Sequence, residues 1–258
     1  AGKTAFALQI AFAGAKTRRV GFFSYETAAD KLHDRTVACQ AQLSFRQIMT
    51  GKLEEADFQR VYELRSRLTA PGLELIEANG MTVSAIGSYA MAHHYDVILV
   101  DYLQKIPAAR GGRPLNDFER VSQVSSGLQQ LGRSTGKVII ALSQLSRMER
   151  RKDGSILPPT MASLRQSGQI EQDADVVMLL YKAVPDAPLS QRVLDVVKNK
   201  DGESGRHMML DFDGDKQRFS KADQTYIPPS KREPDPQQNI FHALPEGGRT
   251  PFDGKEEN

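Results

Sequence analysis

Short apolar runs alternate with amphipathic stretches along this chain. The runs at 20–24, 73–76, 96–100, 137–143, 176–181, 192–197 and 207–212 read as strands. The stretches between the earlier runs carry helical spacing. Phe6, Ile10 and Ala13 share one face over 4–16, and Phe58, Val61, Leu64 and Leu68 share one over 54–68. Phe118, Val121, Val124, Leu128 and Leu131 do the same over 117–134. Two further helices are expected, one over 28–42 with Thr27 as its N-cap and one from Thr82 to about His94. This alternation predicts an α/β fold of three layers, with a central, mostly parallel sheet flanked by helices.

Two stretches break the alternation and read as long surface loops. One covers 105–116, with Gly111 and Gly112; the other covers 146–160, with Arg147, Arg150, Arg151, Lys152, Pro158 and Pro159. After Tyr226 the pattern stops. Residues 227–258 hold six prolines and few apolar side chains, and read as a disordered tail behind a single domain of residues 1–226.

Composition narrows the function classes. The chain has 258 residues, and its 34 basic and 32 acidic side chains leave a net charge of +2. Nucleic-acid binding must therefore rest on local basic loops, since there is no global field to carry it. No apolar run approaches the roughly 20 residues of a membrane span. The single Cys39 lies among Leu32, Thr36 and Leu43 at helical spacing and reads as a buried thiol. Without an internal disulfide, a reducing cytoplasm is the expected location.

The candidate chemistry starts at residue 2. Gly2-Lys3-Thr4, leading directly into a helix, is the second half of the phosphate-binding pattern G-x-x-x-x-G-K-[ST]. There the helix N-terminus and backbone N–H groups hold phosphates, the lysine neutralises their charge and the hydroxyl takes Mg²⁺. The chain starts inside the motif. A fragment that binds ATP poorly until the upstream half is restored is therefore expected. Three strand ends add to the set: 20–24 runs into Glu26, 96–100 into Asp101 and 137–143 into Gln144. In open α/β sheets the carboxyl ends of strands form the ligand edge. Two carboxylates and an amide there match what phosphoryl transfer needs. His93 and His94 read as helix-end residues, with no ligand partners at metal-binding spacing.

The most specific stretch is 161–182. It places Arg165, Gln166, Ser167 and Gly168 in a polar loop, Glu171 to Asp175 in a charged turn, and Val176 to Leu180 in a buried strand.

Five segments together resemble the C-terminal motor domain of the DnaB-type replicative helicases, within the RecA-like ATPases. They are residues 22–26 (FFSYE), 100–104 (VDYLQ), 140–147 (IALSQLSR), 164–175 (LRQSGQIEQDAD) and 197–200 (VKNK). The resemblance covers residues 1 to about 220. It implies a RecA-like fold and an ATP-dependent DNA helicase using Mg²⁺. It implies a homohexamer moving 5′ to 3′ on single-stranded DNA, with a primase and a helicase loader as partners. It gives Gly2, Lys3 and Thr4 to the phosphates, Thr4 and Asp101 to the metal, Glu26 to the attacking water and Gln144 to sensing the γ-phosphate. Arg165, Gln166 and Gly168 would track the DNA backbone, and Lys198 and Lys200 would reach a neighbouring subunit's nucleotide. Two positions depart from the family pattern. Gln166 stands where an acid is usual, and Lys198-Asn199-Lys200 replaces Lys-x-Arg, so Lys200 keeps the charge without the planar fork. The competing reading is a RecA-like recombinase or a regulatory ring ATPase that does not unwind.

Overall fold

A computed structural model of the chain describes residues 2–68, 70–108, 115–145, 158–164, 168–182 and 191–223, all within one compact unit, Ala1–Tyr226. The expected tail over 227–258 and the basic cluster at Arg147, Arg150, Arg151 and Lys152 lie outside the described residues. Among the described residues, no helix is long and apolar enough to cross a membrane.

The first half of the chain builds a parallel sheet of β1 (Val20–Ser24), β2 (Leu73–Glu77), β3 (Val97–Asp101) and β4 (Val138–Ala141), in the order β2-β1-β3-β4. Strand β1 is central and fully buried, and its alternate side chains feed two cores. Val20 and Phe22 pack with Leu99 against Ala7, Leu8 and Ala11 of α1 (Lys3–Gly14) and Leu32 of α2 (Ala29–Ala41). Phe23 packs on the other face with Ile98 and Val100. There it meets Ile86 and Ala90 of α5 (Val83–Ala92), and Val121, Val124 and Leu128 of α6 (Asp117–Thr135). These are the three layers that the sequence predicts. Two peripheral helices, α3 (Phe45–Thr50) and α4 (Glu55–Leu68), follow α2.

Helix starts follow local chemistry. Asn116 and Glu119 close a reciprocal capping box on α6, and Thr82 accepts from Ala85 N–H on α5. Thr27 does not cap α2. Its backbone is held in a turn by the Ser24 hydroxyl, Ala28 takes the N-cap position without a side-chain bond, and Glu77 accepts the Ala29 N–H.

The later strands do not extend the parallel sheet. Strands β5 (Val176–Lys182), β6 (Gln191–Asn199), β7 (Arg206–Asp213) and β8 (Arg218–Lys221) form a separate antiparallel sheet in sequence order. The short β7–β8 turn brings in β8, which the apolar pattern alone leaves out. One face of this sheet carries Val177, Leu179, Tyr181 and Val193. The other face carries Leu180, Leu194, Leu210, Phe212 and Phe219, and packs on Ala5 and Phe6 of α1.

Candidate nucleotide site

Gly2 sits in the left-handed region (φ 93°, ψ 19°) at the N-cap of α1, with no side-chain cap, so the first helical N–H groups remain available. The next two side chains turn towards the carboxyl edge of the parallel sheet. Lys3 Nζ donates to the Ser143 carbonyl at 2.7 Å, beyond the end of β4. Thr4 Oγ1 donates to Asp101 Oδ2 at 2.7 Å, at the end of β3. The Asp101 carbonyl accepts the Tyr25 N–H at 2.8 Å, which ties the end of β1 to the end of β3 and places exposed Glu26 beside them.

Electrostatics bind the group together. Burial pushes the Lys3 ammonium down from its ordinary value, while Asp101 and Glu26 pull it back up. Burial lifts Asp101 above the usual carboxylate range and Glu26 adds to this; the Thr4 hydrogen bond, Lys3 and Arg35 oppose it.

Arg35 is a member of the site that sequence reading missed. It lies on α2, its guanidinium is lowered by burial, and the charges of Asp101 and Glu26 act on it. Among the described residues its buried Nε has no hydrogen-bond partner, and its guanidinium stands 5.7 Å from the centroid of Phe45. The signal available in sequence was its position one helix past Glu26, but on an amphipathic helix an arginine reads as a solvated residue. Gln104 was also missed. Its amide donates to Ser143 Oγ at 2.8 Å and to the Gln144 carbonyl at 3.2 Å, and accepts the Gln144 N–H at 3.2 Å. Gln144 is therefore held by its main chain at the end of β4, next to the Lys3 anchor.

Of the predicted DNA loop, only Gly168 is among the described residues. Arg165 and Gln166 lie outside the described residues, and Gly168 opens α7 (Gly168–Asp173); among the described residues nothing lies within 4 Å of where a Cβ on it would stand. The expected charged turn over Glu171 to Asp175 is thus mostly helix. Ser125 and Ser126 of α6 both donate to Asp173, and Gln129 donates to its carbonyl. Lys198 Nζ donates to the Glu171 carbonyl at 2.6 Å, while Lys200 pairs with Asp175 at 3.5 Å. Both lysines contact the α7 corner of their own chain rather than the Lys3–Asp101 group.

Oxygen donors placed side by side, such as the Thr4 hydroxyl and the Asp101 carboxylate, suit a hard dication. A buried arginine donor without an acceptor suits an anion at the same edge. The residues present therefore fit a metal-bound nucleotide.

Comparisons with known proteins show the family. Residues 1–221 match the family model described as the DnaB-like helicase C terminal domain. The chain is 34% identical over 198 residues to the replicative DNA helicase DnaB of Rickettsia bellii (strain RML369-C), covering 70% of this chain and 39% of that protein. It is 36% identical over 188 residues to the replicative DNA helicase DnaC of Bacillus subtilis (strain 168), covering 70% and 40%. The chain thus spans about two-fifths of the curated relatives it matches. Among solved structures, a DnaB-like replicative helicase, described with its interactions with primase, superposes with a TM-score of 0.76 at 26% identity, over 84% of this chain and 54% of that one. A separately solved ATPase domain gives the same score and identity over 86% and 81%. The RadB recombinase, at 14% identity and a TM-score of 0.50 over 86% of each chain, shares the fold alone. By sequence and fold, this chain belongs to the DnaB-like helicase C-terminal domain family.

Proposed function

We propose that this chain is the motor of an ATP-dependent replicative DNA helicase, acting as a homohexameric ring in the cytoplasm. The observation that carries the reading is the convergence of Lys3, Thr4, Asp101, Glu26 and Arg35 on one edge of the parallel sheet. ATP supplies the phosphoanhydride bond whose hydrolysis drives movement, with Mg²⁺ drawing charge from its phosphates. Gly2 and the open end of α1 receive the phosphates, and Lys3 and Arg35 oppose their charge. Thr4 and Asp101 hold the metal side. Glu26, exposed beside them, takes the proton of the attacking water. Gln144 senses the terminal phosphate from the end of β4. Lys198 and Lys200 reach the nucleotide of a neighbouring copy, leaving their present contacts at α7. Arg165, Gln166 and Gly168 hold a single DNA strand by its backbone, and the ring moves 5′ to 3′ along it. A primase and a helicase loader are the expected partners.

The test uses the complete protein that contains this chain. Lys3→Ala is expected to lose nucleotide binding. Glu26→Gln is expected to keep binding while turnover falls about 100-fold or more. Turnover of Glu26→Gln within a few-fold of native would sink the assignment. Electron microscopy with single-stranded DNA should show closed rings; filaments would favour the recombinase reading.

A further inference from the structure

The antiparallel sheet packs on α1 through several apolar side chains, and at Phe219 it is also hydrogen-bonded to that helix. Phe219 lies in β8, which pairs with β7 on one side. On its other side the amide of Gln9 accepts the Phe219 N–H at 2.9 Å, and Gln9 Nε2 donates to the Phe219 carbonyl at 2.9 Å. For the length of one residue, a side chain takes the place of a neighbouring strand. The ring of Phe219 meets the same helix face one and two turns earlier. It stands edge-on to Phe6 at 5.2 Å, and a Cβ added at Gly2 would lie 2.9 Å from it. Positions 2, 6 and 9 are successive steps along one helical face. Lys3 and Thr4 lie between the first two.

The far side of this sheet ends at α7. Strand β5 follows α7 directly, and Lys198 of β6 holds the α7 carbonyls. The ladder β8-β7-β6-β5 is continuous. A shift of α1 therefore has a route to α7 through the four paired strands, by way of the register shift at Val177/Met178, and the Gln9 amide is its first link.

We infer that Gln9 is a positioning residue that joins the phosphate helix to the antiparallel sheet, so that nucleotide at Lys3 and Thr4 is felt across β7 and β8. The inference rests on the nucleotide-site reading above. It assigns no contact between Gln9 and the nucleotide.

The test is hydrogen–deuterium exchange on the complete protein, with and without a non-hydrolysable ATP analogue. In the native protein, the analogue is expected to slow exchange both in α1 and over residues 206–221, by about five-fold or more. Gln9→Leu removes both hydrogen bonds to Phe219, and the weak one that Oε1 accepts from Cys39 Sγ at 3.9 Å, at similar volume. It should keep analogue affinity within about three-fold and keep the protection of α1, while losing the analogue-dependent slowing over 206–221. Gln9→Glu retains the acceptor but sets a carboxylate against the Phe219 carbonyl, and should fall between the two. It also serves as the second variant should Gln9→Leu fold poorly. A merely structural role would raise exchange equally with and without analogue. That result, or full retention of the analogue effect in both variants, overturns the inference alone. Failure of the native protein to bind the analogue overturns the nucleotide-site reading and this inference with it.

Discussion

Phe219→Ala tests how firmly the second sheet is fastened to the first. The ring is 3% exposed, stacked on Phe212 at 4.4 Å between centroids and edge-on to Phe6. Transfer of a phenylalanine side chain out of water contributes about 1.5–3 kcal/mol. The cavity left behind raises the usual cost of Phe→Ala to about 3–5 kcal/mol. Two ring contacts disappear with the side chain, so the upper half of that range, about 4 kcal/mol, is expected. In a domain of about 150–250 residues this lowers the melting temperature by about 8–16 °C. The Gln9 hydrogen bonds go to the main chain of residue 219, so the substitution removes the ring without removing that clamp. Urea unfolding followed by circular dichroism gives the loss from the shift in midpoint at constant slope. Phe219→Leu, which keeps most of the volume, should lose only about 1.5 kcal/mol or less. A loss for Phe219→Ala below about 1.5 kcal/mol would show that the ring is not part of a shared core, and the fastening would have to lie elsewhere.

Three further outcomes are expected. Asp101 is raised by burial, with Glu26 adding to it, so its ionised form is disfavoured in the fold. That cost appears as pH rises through the unfolded value of about 3.9 and is complete above the folded one; Asp101→Asn should therefore melt higher than native at pH 7, with the gain vanishing at strongly acidic pH and turnover lost. A lower melting temperature at pH 7 would contradict this. Glu74 behaves in the opposite sense. Burial raises it, but hydrogen bonds from Tyr95, Tyr89 and His93 outweigh this and leave it lowered. Its contribution is present above the unfolded value of about 4.3 and fades as pH falls through the folded one; Glu74→Gln should melt lower at pH 7 and converge with native in acid, and a pH-independent difference would refute the network. Lys200→Ala should abolish DNA-stimulated turnover while leaving nucleotide affinity nearly intact. The exposed Lys200–Asp175 pair contributes at most about 1 kcal/mol, so unchanged turnover in a folded variant removes Lys200 from the site.

Most of the parallel half was legible in sequence because burial on both faces writes continuous apolar runs such as 97–100. Helix α1 was legible because Phe6, Ile10 and Ala13 hold helical spacing directly after Gly2-Lys3-Thr4. The direction of β5 to β8 was not legible, since an apolar run does not say which neighbour it pairs with. Strand β8 escaped because its polar Arg218, Ser220 and Lys221 leave Phe219 as the lone apolar position. Helix α7 was hidden because Glu171, Gln172 and Asp173 look like a turn; what holds it is a set of donors from α6 far away in sequence. Arg35 and Gln104 share that difficulty. Each is an ordinary polar residue whose role depends on which strand end it faces.

The contact between Gln9 and Phe219 joins positions 210 apart. Forming it has to offset the entropy of closing a loop of that length. Contacts of such separation gather their free energy late on the folding route. Weakening this one should leave the folding limb of a chevron nearly unchanged and place the loss on the unfolding side, so that the unfolding rate rises. The pairing of one amide with one main-chain residue is thus expected to set how long the domain stays folded more than how fast it folds.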